Sequence, residues 1–165
     1  KGWGSIIVVV GVILSAGCGM PPENILTGEP YIHDPWVDAT SSRVGCEVRP
    51  ADCYTEISGY YIKTEEDGQR RIALTFDIFH FDNSSGDRMW VVADWGWEPL
   101  TTNRTYYFII QARHWDEGGE KSSYRYFEWR WDGQSRGKTA GQNSHYISAE
   151  QARQIITTIE RKKPS

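Results

Sequence analysis

Residues 106–131 read YYFIIQARHWDEGGEKSSYRYFEWRW, and this stretch decides the fold. Tyr106 to Trp115 is rich in aromatic and β-branched side chains, the composition of a pleated strand. Asp116-Glu117-Gly118-Gly119 follows with turn chemistry. Tyr124 to Trp131 is a second strand of the same kind. In strands alternate side chains take opposite faces. Phe127, Trp129 and Trp131 therefore share one face, and Tyr124, Tyr126 and Arg130 the other. Both faces carry rings.

Working outward, the same signals recur. Tyr54 to Thr64 reads as a strand closed by a hairpin turn at Glu65-Glu66-Asp67-Gly68. In Arg71 to Phe81, Ile72, Leu74, Phe76 and Ile78 alternate on one face. Asp82 to Asp87 is a loop, Met89 to Trp95 a further strand, and Pro99 to Asn103 a break. The polar run Asp132 to His145 reads as a long loop. Ser148 with Gln151 makes a capping box. Ala152, Ile155, Ile156 and Ile159 fall on one helical stripe. Arg161, Lys162 and Lys163 then suit the negative end of the helix dipole. The expected fold is mainly β: an antiparallel meander of about five strands, as a sheet, sandwich or open barrel, with one C-terminal amphipathic helix packed on it.

The chain divides into three parts. Residues 54–165 form the β domain. Residues 21–53 hold Pro21, Pro22, Pro30, Pro35 and Pro50 without sustained periodicity and read as a tether. Residues 1–20 are an apolar segment with the layout of a signal peptide: a basic start, the run Ile6 to Leu14, then small residues. The 18 residues Trp3 to Met20 carry no charge. As a helix they would span roughly 27 Å, enough for a bilayer core.

Leu14-Ser15-Ala16-Gly17-Cys18 resembles the lipobox of bacterial lipoproteins, although Ser15 stands where that family most often has leucine. The resemblance implies cleavage before Cys18 and a diacylglyceryl group on its thiol. Gly19, in place of a retaining aspartate, implies the outer membrane of a two-membrane bacterium. A retained transmembrane helix is the alternative. Either way, the domain is expected to be tethered to a membrane on the periplasmic or extracellular side. With Cys18 assigned to the anchor, Cys46 and Cys53 remain, and an oxidising compartment would pair them in a disulfide.

Composition restricts the function. A net charge of −4 argues against nucleic acid as a main partner. No dinucleotide, Walker or HExxH motif occurs, and no cofactor is implied. His80, Asp82, His114 and Asp116 could meet at one sheet end and bind a divalent metal, if their strands pair. Gly133-Gln134-Ser135-Arg136-Gly137 matches G-x-S-x-G. A polar loop follows it where a hydrolase has a helix, and only His145 could serve as base. Asn83-Ser84-Ser85 and Asn103-Arg104-Thr105 are glycosylation sequons by pattern and loop chemistry by context.

The surplus of rings on the strands points to contact with something else. Trp90, Trp95, Trp97, Trp115, Trp129, Trp131, Tyr124 and Tyr126 are the candidate interface. The expected function is that of a non-enzymatic accessory or scaffold protein packed on a larger membrane or envelope complex. A module binding a glycan or small ligand is the second reading, and a hydrolase built on Ser135 the third.

Overall fold

The computed structural model describes residues 28–83, 86–95 and 99–162, with the backbone alone at 78–83. The apolar segment, Cys18, the processing site and Trp97 lie outside these residues. Among the described residues no helix is long and apolar enough to cross a membrane.

The domain is mainly β, with one short C-terminal helix, and its strands form two sheets. In chain order they are β1 (Tyr31–Asp38), β2 (Arg43–Arg49), β3 (Tyr54–Glu65), β4 (Gly68–Ala73), β5 (Asp77–Asn83), β6 (Arg88–Asp94), β7 (Arg104–Asp116), β8 (Gly119–Trp131), β9 (Lys138–Ala140), β10 (Gln142–Ile147), helix α1 (Ala149–Ile156) and β11 (Ile159–Glu160). Sheet A has the order β5-β6-β2-β1-β9 and sheet B the order β10-β8-β7-β3-β4-β11. All pairings are antiparallel except that of β11 with β4.

The core lies between the sheets. Ile32, Val37, Val44, Cys46, Val48, Val91 and Ala93 come from sheet A, and Ile57, Phe108, Ile110, Ala112 and Phe127 from sheet B. Phe108 and Phe127 are directly opposite across the β7–β8 ladder. Their rings stack at 4.9 Å and 13°. Ile32 and Val37 are both fully buried although five residues apart, a spacing that strict alternation would put on opposite faces. A bulge between His33 and Trp36 restores the parity, with Asp34 at φ 46°.

Several sequence-based expectations need correction. Residues 31–49 are two strands of sheet A and not a tether. Pro35 is accommodated at the bulge, where no ladder donor is needed. The single strand expected over Arg71 to Phe81 is two. The chain leaves sheet B after Ala73, the Leu74 amide donates to the Gly59 carbonyl at 2.8 Å, and β5 begins in sheet A. Residues 132–145 are not one loop but contain β9 and most of β10. This segment carries the chain from sheet A to sheet B through Gly141, whose amide donates to the Pro35 carbonyl at 2.8 Å. The strands thus make a two-layer sandwich, one of the forms expected, but with eleven strands among the described residues, in two sheets, in place of about five.

The capping box at Ser148 forms as expected. The Gln151 amide donates to Ser148 Oγ at 3.1 Å, and the Ser148 amide to Gln151 Oε1 at 2.9 Å. The helix is shorter than its stripe suggested. Thr157 Oγ1 donates to the Arg153 carbonyl and Thr158 Oγ1 to that of Ile155, both at 2.8 Å. These side-chain bonds compete with helix continuation. Ile159 then joins β11, beside β4. Because β10 and β11 lie at opposite edges of sheet B, α1 must cross that sheet, and the inner face is filled. It therefore covers the outer face. Ala152 is fully buried, and the outward-facing Ile109 and Tyr60 are only 1% and 4% exposed.

Cys46 and Cys53 are buried free thiols, not a disulfide. Cys46 hangs from sheet A, whereas Cys53 leads into β3 of sheet B. Burial pushes the Cys53 thiol up to about 12, with smaller contributions from Asp52 and Asp87. Burial raises Cys46 too, helped by Glu47. In the native state neither should react with a thiol reagent at pH 8. Denaturation without reductant should expose both to labelling, scored by peptide mass. Protection that persists in denaturant until a reductant is added would show a disulfide after all.

Candidate interaction surface

The outer face of sheet B explains many of the rings that were surplus in the sequence. Tyr60, Tyr107 and Tyr126 form a row across β3, β7 and β8, with ring centroids 5.2 and 6.5 Å apart. His145 on β10 extends it, 5.2 Å from Tyr126. Such cross-strand contacts stabilise a sheet without any external partner. The Tyr126 hydroxyl donates to Glu128 Oε1 at 2.6 Å. Burial first, and this carboxylate second, raise the Tyr126 pKa well above the usual phenol range. Tyr124 is also half-buried, its hydroxyl accepting from Gln111 Nε2 at 3.0 Å.

The tryptophans divide. Trp95 and Trp129 are core, 2% and 6% exposed, with rings 6.2 Å apart. Trp131 is half-buried and stacks on Trp129 at 5.6 Å. These three are therefore not an outward patch. Trp129 and Trp131 lie on the inner face of β8, and Trp95, which follows β6 of sheet A, packs across the core against Phe108 and Trp129. Trp90, 37% exposed, stands on the outer face of sheet A opposite Glu47. Trp115 is 53% exposed at the end of β7.

Trp115 does not stand alone. Arg113 lies between two rings, its Cζ 4.7 Å from the Tyr54 centroid and 5.8 Å from that of Trp115. Tyr54 is 48% exposed and directly opposite Arg113 in the β3–β7 ladder. Arg113 Nη2 donates to Glu56 Oε1 at 3.3 Å, which fixes the guanidinium along the strand. The hairpin tip beside the cluster is also fixed. The Lys121 ammonium, 3.0 Å away, and the Gly118 amide at 2.7 Å hold the Asp116 carboxyl below the usual carboxylate range. The sequence reading missed Tyr54 and Arg113. Each ring looks ordinary alone, and only the register brings them together.

The same end receives the chain from the N-terminal segment. The Ser123 hydroxyl donates to the Pro30 carbonyl at 2.6 Å, and Gly28 lies against the Lys121 side chain. Lys121 is opposite His114 in the β7–β8 ladder, next to Trp115.

The residues considered for chemistry are not assembled. β5 pairs only with β6 of sheet A, while β7 is in sheet B, so the strands of His80 and His114 do not pair. His114 Nδ1 lies 3.2 Å from Asp52 Oδ1, out of alignment for a hydrogen bond. Among the described residues no group of three metal-ligating side chains occurs. Ser135 sits in an exposed turn in which Asp132 Oδ1 accepts from the Gln134 amide at 2.9 Å and Asp132 Oδ2 pairs with Arg136. His145 is engaged elsewhere, with Nδ1 2.8 Å from the Asn143 carbonyl. Comparison with protein-family models, characterised proteins and solved structures finds no match.

Proposed function

We infer that this protein is a membrane-tethered, non-enzymatic accessory subunit that docks on a larger membrane or envelope protein complex through Tyr54, Arg113 and Trp115. The observation that carries this reading is the cluster itself. Two of the three large apolar side chains left exposed among the described residues flank one arginine. Tyr, Trp and Arg are the residue types that dominate binding energy at protein interfaces.

Its position supports a membrane-bound partner. Ten peptide steps, through nine intervening residues, lead from Cys18 to Gly28, a reach of at most about 35 Å. If Cys18 carries lipid, the end bearing the cluster is held that close to the bilayer. Asp52, Glu56, Asp116, Glu117 and Glu120 surround the cluster in the ladders and turns of this end. That density of carboxylates disfavours direct contact with an anionic lipid surface and favours a protein partner. Lipidation has its own test: Cys18→Ser should abolish the lipid mass, and unchanged mass and membrane association would leave the retained-helix alternative.

Trp115→Ala and Tyr54→Ala should each weaken the complex by about 2 kcal/mol, roughly thirtyfold. Thermal stability should change little, because both rings are half in solvent. Co-purification from solubilised membranes and a melting curve on the same samples make the comparison. Retention of the complex by the double variant would refute the docking surface. Ser135→Ala should be silent. Loss of a hydrolytic activity in that variant, with the fold intact, would overturn the non-enzymatic assignment.

A further inference from the structure

A second feature lies on the sandwich edge where the chain passes from β9 to β10. An open cleft of about 480 Å³ is bounded by the β1 bulge on one side and this crossover on the other. Its volume falls within the range of small-molecule sites. Two cations line it, Arg125 and Lys138.

Neither cation is paired with a carboxylate among the described residues, a state they share with Arg71, Arg104, Arg130 and Arg153, whereas Arg43, Arg49, Lys63, Arg70, Arg88, Arg113, Lys121 and Arg136 each have one; what sets Arg125 and Lys138 apart is that they line the same cleft. Each is held instead by an aromatic ring. Arg125 Cζ lies 4.6 Å from the Tyr146 centroid, and Lys138 Nζ 4.4 Å from that of Trp36. Arg125 Nε also donates to Ser144 Oγ at 2.8 Å. A ring holds a cation in place without neutralising it. The charge stays available to an incoming anion.

The supports are themselves fixed. Tyr146 accepts at its hydroxyl from the Ile32 amide and donates to the Ile32 carbonyl, both at 3.1 Å. Trp36 packs against the Gly45 backbone, where a Cβ would collide with its ring. The one carboxylate lining the cleft, that of Asp34, is 2.7 Å from His33 Nε2, and His33 Nδ1 shares a hydrogen bond with the Tyr31 hydroxyl. Asp34 is thus directed toward His33. In a chain of net charge −4, two unneutralised cations in one concavity are a selective feature.

We propose that this cleft binds a small organic anion, with its carboxylate or phosphate between Arg125 and Lys138 and its body against Trp36, Pro35 and the Gly141 backbone. The site is separate from the docking cluster and does not depend on it. Sugar acids and sugar phosphates match this chemistry, because a pyranose ring presents both an apolar face and hydroxyls that the Ser144 hydroxyl, which accepts from Arg125, can meet.

The test is calorimetric titration of the full chain in detergent with D-glucuronate, glucose 6-phosphate, glucose and inorganic sulfate. At least one of the two organic anions should bind, and which one does reports whether carboxylate or phosphate is preferred. Glucose should not bind, and raised ionic strength should weaken the interaction. Arg125→Gln and Lys138→Gln should each lower affinity at least tenfold, whereas Arg153→Gln on exposed α1 should have no effect. Lys138 is exposed, so its variant reports on the site even if loss of Arg125 disturbs the edge. The proposal fails if neither organic anion binds or if Lys138→Gln leaves affinity unchanged. It also fails if glucose binds equally well, or if sulfate matches the organic anions and shows that their body contributes nothing.

Discussion

Phe108→Ala should lower stability by about 3–5 kcal/mol. The side chain is fully buried and stacks on Phe127 at 4.9 Å. Its ring also neighbours those of Phe76 and Trp95, with centroids 6.3 and 6.4 Å away. Truncation removes the transfer free energy of a phenyl ring and leaves a void between two rigid sheets that cannot collapse onto it. A domain of this size has about 5–15 kcal/mol in total. The midpoint of thermal unfolding should fall by roughly 10–20 °C. Circular dichroism on the wild type and the variant measures it. A loss below about 1 kcal/mol would mean that the sheets do not face each other across Phe108.

The second large effect is expected at Gly45. A Cβ there would overlap the Trp36 ring and lie 2.9 Å from the Val91 carbonyl oxygen. The carbonyl belongs to the β2–β6 ladder and cannot move without breaking it. Gly45→Val should therefore force Trp36 off the sheet, at a cost of about 1–3 kcal/mol. Lys138 would lose its resting place, so the same variant should also perturb the cleft. Gly86→Ala is the control, since its Cβ would meet only Arg88 Nε at 3.7 Å. Equal melting points for the two variants would contradict the packing of Trp36 on β2.

What could be read in the sequence was local. The β7–β8 hairpin, the Glu65–Gly68 turn and the Ser148 cap are each specified by residues within a few positions of one another, and each forms. What could not be read depends on long-range register. Tyr31 to Arg49 looked like a tether because Pro35 and the Asp34 bulge interrupt its alternation. That interruption is what lets Ile32 and Val37 face the same core. The crossover at Gly141 is invisible in a polar stretch, since only the position of Pro35 and Phe127 around it requires a glycine.

The aromatic surplus shows the same limit. The sequence correctly places rings on both faces of β7 and β8. It does not reveal that α1 covers the Ile109 side of the outer face, or that Trp95 and Trp129 fill the distal core. Tyr54 and Arg113 are 59 positions apart and face each other only through the β3–β7 pairing. The cysteines misled as well: their short separation in sequence suggested a bridge, but both thiols are free.

The central claim is that the end of the sandwich bearing Trp115 faces a membrane-bound protein partner. Site-specific photo-crosslinking in intact membranes tests it most directly. A photoreactive residue would replace Trp115 in one sample and Gln134 in another. Gln134 lies past the far end of β8, in the exposed turn held by Asp132. Position 115 should yield a discrete protein adduct, and position 134 should yield none. An adduct at 134 alone, or at neither position in a protein shown to be folded and membrane-associated, would contradict the assignment.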